Sequence, residues 1–145
     1  MHTSADVLNS LITIHNDRIK GYETALEETK DADLKALFTE FIQTSRSAKK
    51  ELDVEVIKLG EKPENGTRLD GKIYRVWMDF KAAVTGKDRK AILNSCEYGE
   101  DVALQSYKDA LDEEDLGTTY KTLIESQRAK IQKDHDRVKQ LRDSN

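Results

Sequence analysis

Cys96-Glu97-Tyr98-Gly99-Glu100 sits in the middle of a helical pattern that covers about residues 88–111. At the helical period Ile92, Leu93, Cys96, Gly99, Ala103, Tyr107 and Ala110 share one apolar face, and Glu100 falls inside that face rather than beside it. A carboxylate aimed at a core must meet a donor, a cation or a metal, or hold a proton, because an unpaired buried charge is far too costly. Other helices must supply that partner, so this stretch asks for a multi-helix fold.

The rest of the chain provides those helices. A first helix over about residues 4–29 is entered through Thr3 or Ser4 as N-cap, with Asp6 placed where the helix dipole favours negative charge. Its stripe is Leu8, Leu11, Ile12, His15, Ile19, Tyr22 and Leu26, with His15 in the middle. A second helix starts near residue 31 and carries Leu34, Leu37, Phe38, Phe41, Ile42, Ser45, Ala48, Leu52, Val56 and Leu59. The very short link makes these two antiparallel neighbours.

Gly60 ends the second helix, and residues 61–71, with the only Pro and two Gly, read as a surface loop. A shorter amphipathic helix follows, with Ile73, Val76, Trp77, Phe80 and Val84 at helical spacing. Its apolar side needs cover from the other helices or from a second subunit. Gly86 stops it and Asp88 caps the next helix, so this middle connection is long and could carry the chain across one end of the fold. The acidic run 112–115 with Gly117 then turns the chain into a last helix that ends near residue 142. Leu116, Tyr120, Leu123, Ile124, Gln127, Ile131, Val138 and Leu141 face inward there, with Asp134 near the edge.

The pattern is all-α: an antiparallel four-helix bundle in one domain over residues 1–145, with a short extra helix between helices 2 and 3. Composition agrees, since 36% of the 145 residues are charged, 6% are aromatic, and there are one Pro and seven Gly. A net charge of −4 with Lys and Glu interspersed leaves no large basic surface for nucleic acid or an anionic membrane. One Cys makes no internal disulfide, and no signal peptide or membrane-length apolar run is seen, which points to a cytoplasmic setting.

Counting from the turns places His15, Ser45, Glu100 and Gln127 at a similar height, one inward polar residue per helix. On this count His15 is the partner of Glu100. The ordinary role of such a layer is a hydrogen-bond network that fixes helix register. The sharper reading is a metal site, with His15 and Glu100 as first ligands for iron or manganese, although one His and one carboxylate are too few for tight binding. Glu51, Glu97 and His135 form a weaker second group at the edges of their faces, where solvated ion pairs are the usual outcome. Tyr22, Tyr107 and Tyr120 read as one aromatic layer near the turn end, Cys96 as an inert core thiol, and Trp77 with Phe80 as a candidate subunit contact.

The segments Asn16-Asp17-Arg18, Gly21-Tyr22, Leu59-Gly60, Trp77-Met78, Thr85-Gly86-Lys87-Asp88, Cys96-Glu97-Tyr98-Gly99-Glu100-Asp101 and His135-Asp136 together resemble a bacterial domain-of-unknown-function family of ferritin-like four-helix bundles, over about residues 7–143. The resemblance implies that fold and no particular activity. The wider ferritin-like class builds di-iron or di-manganese sites from a Glu on each of two helices and Glu-x-x-His on each of the others. Here Ile12 stands three residues before His15 and Gln132 three before His135, so both pairs are missing. The chain therefore reads as a non-catalytic bundle that acts by self-association, as a homodimer, or through another protein. The alternative is a metal-binding protein with a degenerate core site.

Overall fold

The computed structural model describes residues 3–66, 71–86, 88–114 and 116–144, with the backbone alone for 71–74. The chain is all-helical, without a strand among the described residues: α1 (Ser4–Glu28), α2 (Ala32–Lys58), α3 (Gly71–Gly86), α4 (Arg89–Leu111) and α5 (Thr118–Asp143). Part of the predicted loop (67–70), the side chain of Ile73 and Asp115 of the acidic turn lie outside the described residues.

Local chemistry sets the helix ends. Thr3 and Asp6 form a reciprocal capping box on α1: the Thr3 hydroxyl accepts from the Asp6 N–H and the Asp6 carboxylate from the Thr3 N–H, each at 3.1 Å. Asp88 caps α4 by accepting from the N–H groups of Lys90 and Ala91. Gly60 closes α2 with a φ of 80°, a left-handed conformation that glycine adopts without strain, and the Gly60 and Glu61 N–H groups return to the carbonyls of Ile57 and Val56. Residues 61–66 then lie back along α1, where the Asn9 side chain donates to the Lys62 carbonyl and accepts from the Glu64 N–H. Asn16 donates to the Gly66 carbonyl at 2.9 Å.

The starts of α2 and α4 are neighbours, because Arg89 reaches Asp31 and Asp33 at 3.0 and 2.5 Å. These two helices therefore run in the same direction. The α1–α2 and α4–α5 turns fall at opposite ends, and each contacting pair of long helices (α1 with α2 and α4, α5 with α2 and α4) is antiparallel. The middle connection does not cross an end. It returns along the side, as α3 packing on α1 and α4. Tyr22 and the pair Tyr107 and Tyr120 consequently belong to different ends, in separate apolar clusters, and form no single layer.

The apolar side of α3 is covered within the chain. Phe80 is buried, and Trp77 packs edge-on to Tyr22 and Phe80 with centroids 5.4 and 5.8 Å apart. This close seating needs glycine at position 21, where an added Cβ would lie 2.3 Å from Trp77 Cε3. The indole is boxed by two aromatic rings and has little room to yield. Gly21→Ala is expected to cost about 1–3 kcal/mol through overpacking, with a red-shifted Trp77 emission. Gly99 is the control: its Cβ would meet Val76 and Trp77 no closer than 3.6 Å. Gly99→Ala should be neutral or stabilising by up to about 1 kcal/mol, and equal losses in the two variants in urea titrations would refute the close-approach account.

Candidate functional site

Two apolar clusters fill the two ends of the fold, one around Leu11, Leu52, Tyr107 and Ile124, the other around Tyr22, Phe41, Phe80 and Leu93. The boundary between them is polar. On α1, His15 and Arg18 lie between Ile14 and Tyr22; on α4, Glu100 lies between Cys96 and Ala103; on α5, Asp134 lies between Ile131 and Val138. Ser45 from α2 completes the layer.

Arg18 is its centre. Its guanidinium, wholly buried, donates to Glu100 Oε1 at 2.6 Å, to Asp134 Oδ2 at 3.2 Å and to Ser45 Oγ at 2.8 Å. Its carbon end faces the rings of Tyr22 and Phe41 at 5.6 and 5.7 Å. Burial works against the charge, but Glu100 foremost and Asp134 after it hold the guanidinium pKa above its ordinary value. Glu100 thus finds its partner in Arg18 and not in His15.

His15 joins a second run of bonds. Its Nδ1 lies 3.0 Å from Ser45 Oγ and its Nε2 lies 2.5 Å from the Tyr107 hydroxyl. Tyr107 donates to Gln127 Oε1 at 2.7 Å, and Gln127 Nε2 donates to the Ala48 carbonyl at 3.1 Å and to Glu51 Oε1 at 3.2 Å. The proton positions follow from the two ends. Arg18 can only donate and a carbonyl can only accept, so Gln127 must present its oxygen to Tyr107 and the Tyr107 proton is committed there. The imidazole must then carry its proton on Nε2 and accept from Ser45 at Nδ1. Every donor points the same way, from Arg18 to Glu51. Burial, then the charges of Arg18 and Lys49, hold the His15 pKa well below its ordinary value, which agrees with a neutral ring. Burial likewise pushes the Tyr107 phenol and, with the Glu100 charge, the Cys96 thiol upward, leaving both protonated and unreactive.

The predicted second group does not converge. Glu51 meets Gln127, Glu97 pairs with Arg142, and His135 lies between Asp101 at 2.7 Å and Asp136 at 3.1 Å. Nor does the donor set fit a ferritin-like metal pair. Both His15 nitrogens are engaged, a fixed cation stands between Glu100 and Asp134, and among the described residues no group of three or more His, Cys, Asp or Glu could hold a metal ion. A groove of about 400 Å³ between α2 and α5 reaches the edge of the layer at Asp134, beneath Thr44, Lys130, Lys133 and Arg137.

The chain belongs to the family described as domain of unknown function DUF2383. The family profile matches residues 3–113. No curated protein matches the chain. The DUF2383 match spans α1 to α4 and therefore His15, Arg18, Ser45, Glu100 and Tyr107, whereas Gln127 and Asp134 on α5 lie beyond it. No helix among the described residues is long and apolar enough to cross a membrane.

Proposed function

We propose that this DUF2383 chain is a ferritin-like four-helix bundle of the cytoplasm that acts without catalysis, by self-association or by binding another protein. The observation that carries this reading is Arg18. In the ferritin-like class inward carboxylates converge on metal ions. Here two inward carboxylates converge on a guanidinium supplied by the chain itself. The helix directions support the fold assignment, since one long crossover between the second and third long helices is the ferritin-like connectivity. The polar layer then serves register and specificity, leaving the outer helix faces to do the binding.

Elemental analysis of untagged, chelator-free protein, followed by anaerobic iron and manganese titration beside Glu100→Gln, tests the reading. The expected result is no stoichiometric metal in either protein. Near-stoichiometric metal in the wild type that disappears in a folded Glu100→Gln variant would overturn it in favour of a metal-binding core. Sedimentation across a wide concentration range tests the association half, and a particle that stays monomeric and captures no partner would count against it.

A further inference from the structure

Val54 and Ile57 on α2 are 45% and 60% exposed. β-Branched residues are weak helix formers, so at solvent-facing helical positions Val54 and Ile57 serve neither the helix nor the core. They also share a face, being three residues apart, and that face is flanked by Glu51 on one side along the helix and Lys58 on the other, both exposed. The order along the surface is acid, apolar, apolar, base.

We propose that two copies of this chain pair through this face, with the C-terminal halves of their α2 helices antiparallel about a two-fold axis level with residues 55 and 56. In that register Val54 of one copy meets Ile57 of the other, and Glu51 lies about 3 Å along the axis from the partner's Lys58, within side-chain reach, twice over. A parallel pairing would put the Glu51 and Lys58 edges of the two helices on opposite sides of the seam and forfeit both ion pairs, so the charges favour the antiparallel arrangement. The competing ties are slight: Lys58 reaches its own Glu55 at 3.6 Å across an exposed gap, and Glu51 uses one oxygen for Gln127. The patch is smaller than a permanent interface requires, so the dimer forms and dissociates with concentration. This proposal rests on the association reading and names its surface.

The test is sedimentation of the full chain from micromolar to near-millimolar concentration, with four variants. The wild type should approach twice the monomer mass at the upper end. Ile57→Glu should stay monomeric with an unchanged far-UV spectrum, because the side chain is exposed. Glu51→Lys and Lys58→Glu should each weaken dimerisation by about tenfold or more, and the two together in one chain should restore it. A mixture of Val54→Cys and Ile57→Cys chains should form disulfide dimers faster than either alone, Cys96 being buried. A dimer that survives Ile57→Glu overturns this surface and leaves the association reading standing. Restoration that fails after both single losses overturns the antiparallel register. A wild type that is monomeric throughout overturns the proposal together with self-association.

Discussion

Arg18→Met is expected to destabilise the fold by about 3–5 kcal/mol, which for a chain of this size lowers Tm by roughly 10 °C or more. The cost comes from what is left behind. Arg18 is the shared partner of Glu100 and Asp134, and Glu100 Oε2 already lacks a hydrogen-bond partner among the described residues. Without the guanidinium, two carboxylates face each other in an apolar interior and one of them must take up a proton or pull the helices apart. The loss therefore measures stranded charge rather than the net worth of the ion pairs. Arg18→Met combined with Glu100→Gln and Asp134→Asn should recover most of it, since replacing a whole buried charge cluster is often close to neutral. Arg18→Lys should fall between, as one ammonium cannot reproduce the fork that reaches Ser45, Glu100 and Asp134 at once. Urea denaturation of the single and triple variants decides the matter: a loss under about 1 kcal/mol for Arg18→Met would mean that the carboxylates find other partners and that Arg18 is not their anchor.

The helices and the inward position of Glu100 were legible in the sequence because both depend on local period, which one chain displays without reference to its neighbours. His15, Ser45, Glu100 and Gln127 are indeed all buried in the structure. Arg18 was not legible for a specific reason. The amphipathic stripe of α1 takes in His15 and Ile19 and leaves Arg18 off it, but α1 packs against α2, α3 and α4, so its buried arc is wider and takes in Asp17 and Arg18 while Ile19 is only half-buried. The available signal was the count of charges: Glu100 and Asp134 inward without a cation on any stripe implied that one was missing. The direction of the middle connection was hidden for a related reason. Whether α3 crosses an end or returns along the side depends on the fit of Trp77 against Gly21, a contact between residues far apart in the chain. Those same facts turn Trp77 and Phe80 inward and move the search for a binding surface to α2.

Stability should rise as pH increases towards 6.5, and the cause should be His15. Its folded pKa lies well below the ordinary value, with burial as the main cause and the Arg18 charge next. The unfolded chain therefore binds the proton that the folded one refuses. The His15 contribution is complete above its unfolded value, about 6.5, and is lost as pH falls below it, with a slope of at most about 1.4 kcal/mol per pH unit. Asp134 opposes this. Burial, and then the Glu100 charge set against the attraction of Arg18, push its carboxyl up to about 6 from 3.8. The folded state thus holds that proton where the unfolded state has released it, so the Asp134 contribution is greatest at low pH and fades as pH rises through about 6. Over the interval between the two Asp134 values the slopes have opposite signs, and the wild-type profile is flattened. Asp134→Asn removes only the falling limb and should expose a steeper rise towards pH 6.5 in ΔG from urea titrations. Nitrogen chemical shifts of the His15 ring supply the second check. The bond directions require a neutral ring with its proton on Nε2, because a proton on Nδ1 would take the place of the Ser45 donor and set two positive groups on one hydroxyl. An imidazolium signal at pH 6 in the folded protein, or a profile that stays flat in Asp134→Asn, would break the proposed direction of the chain from Arg18 to Glu51.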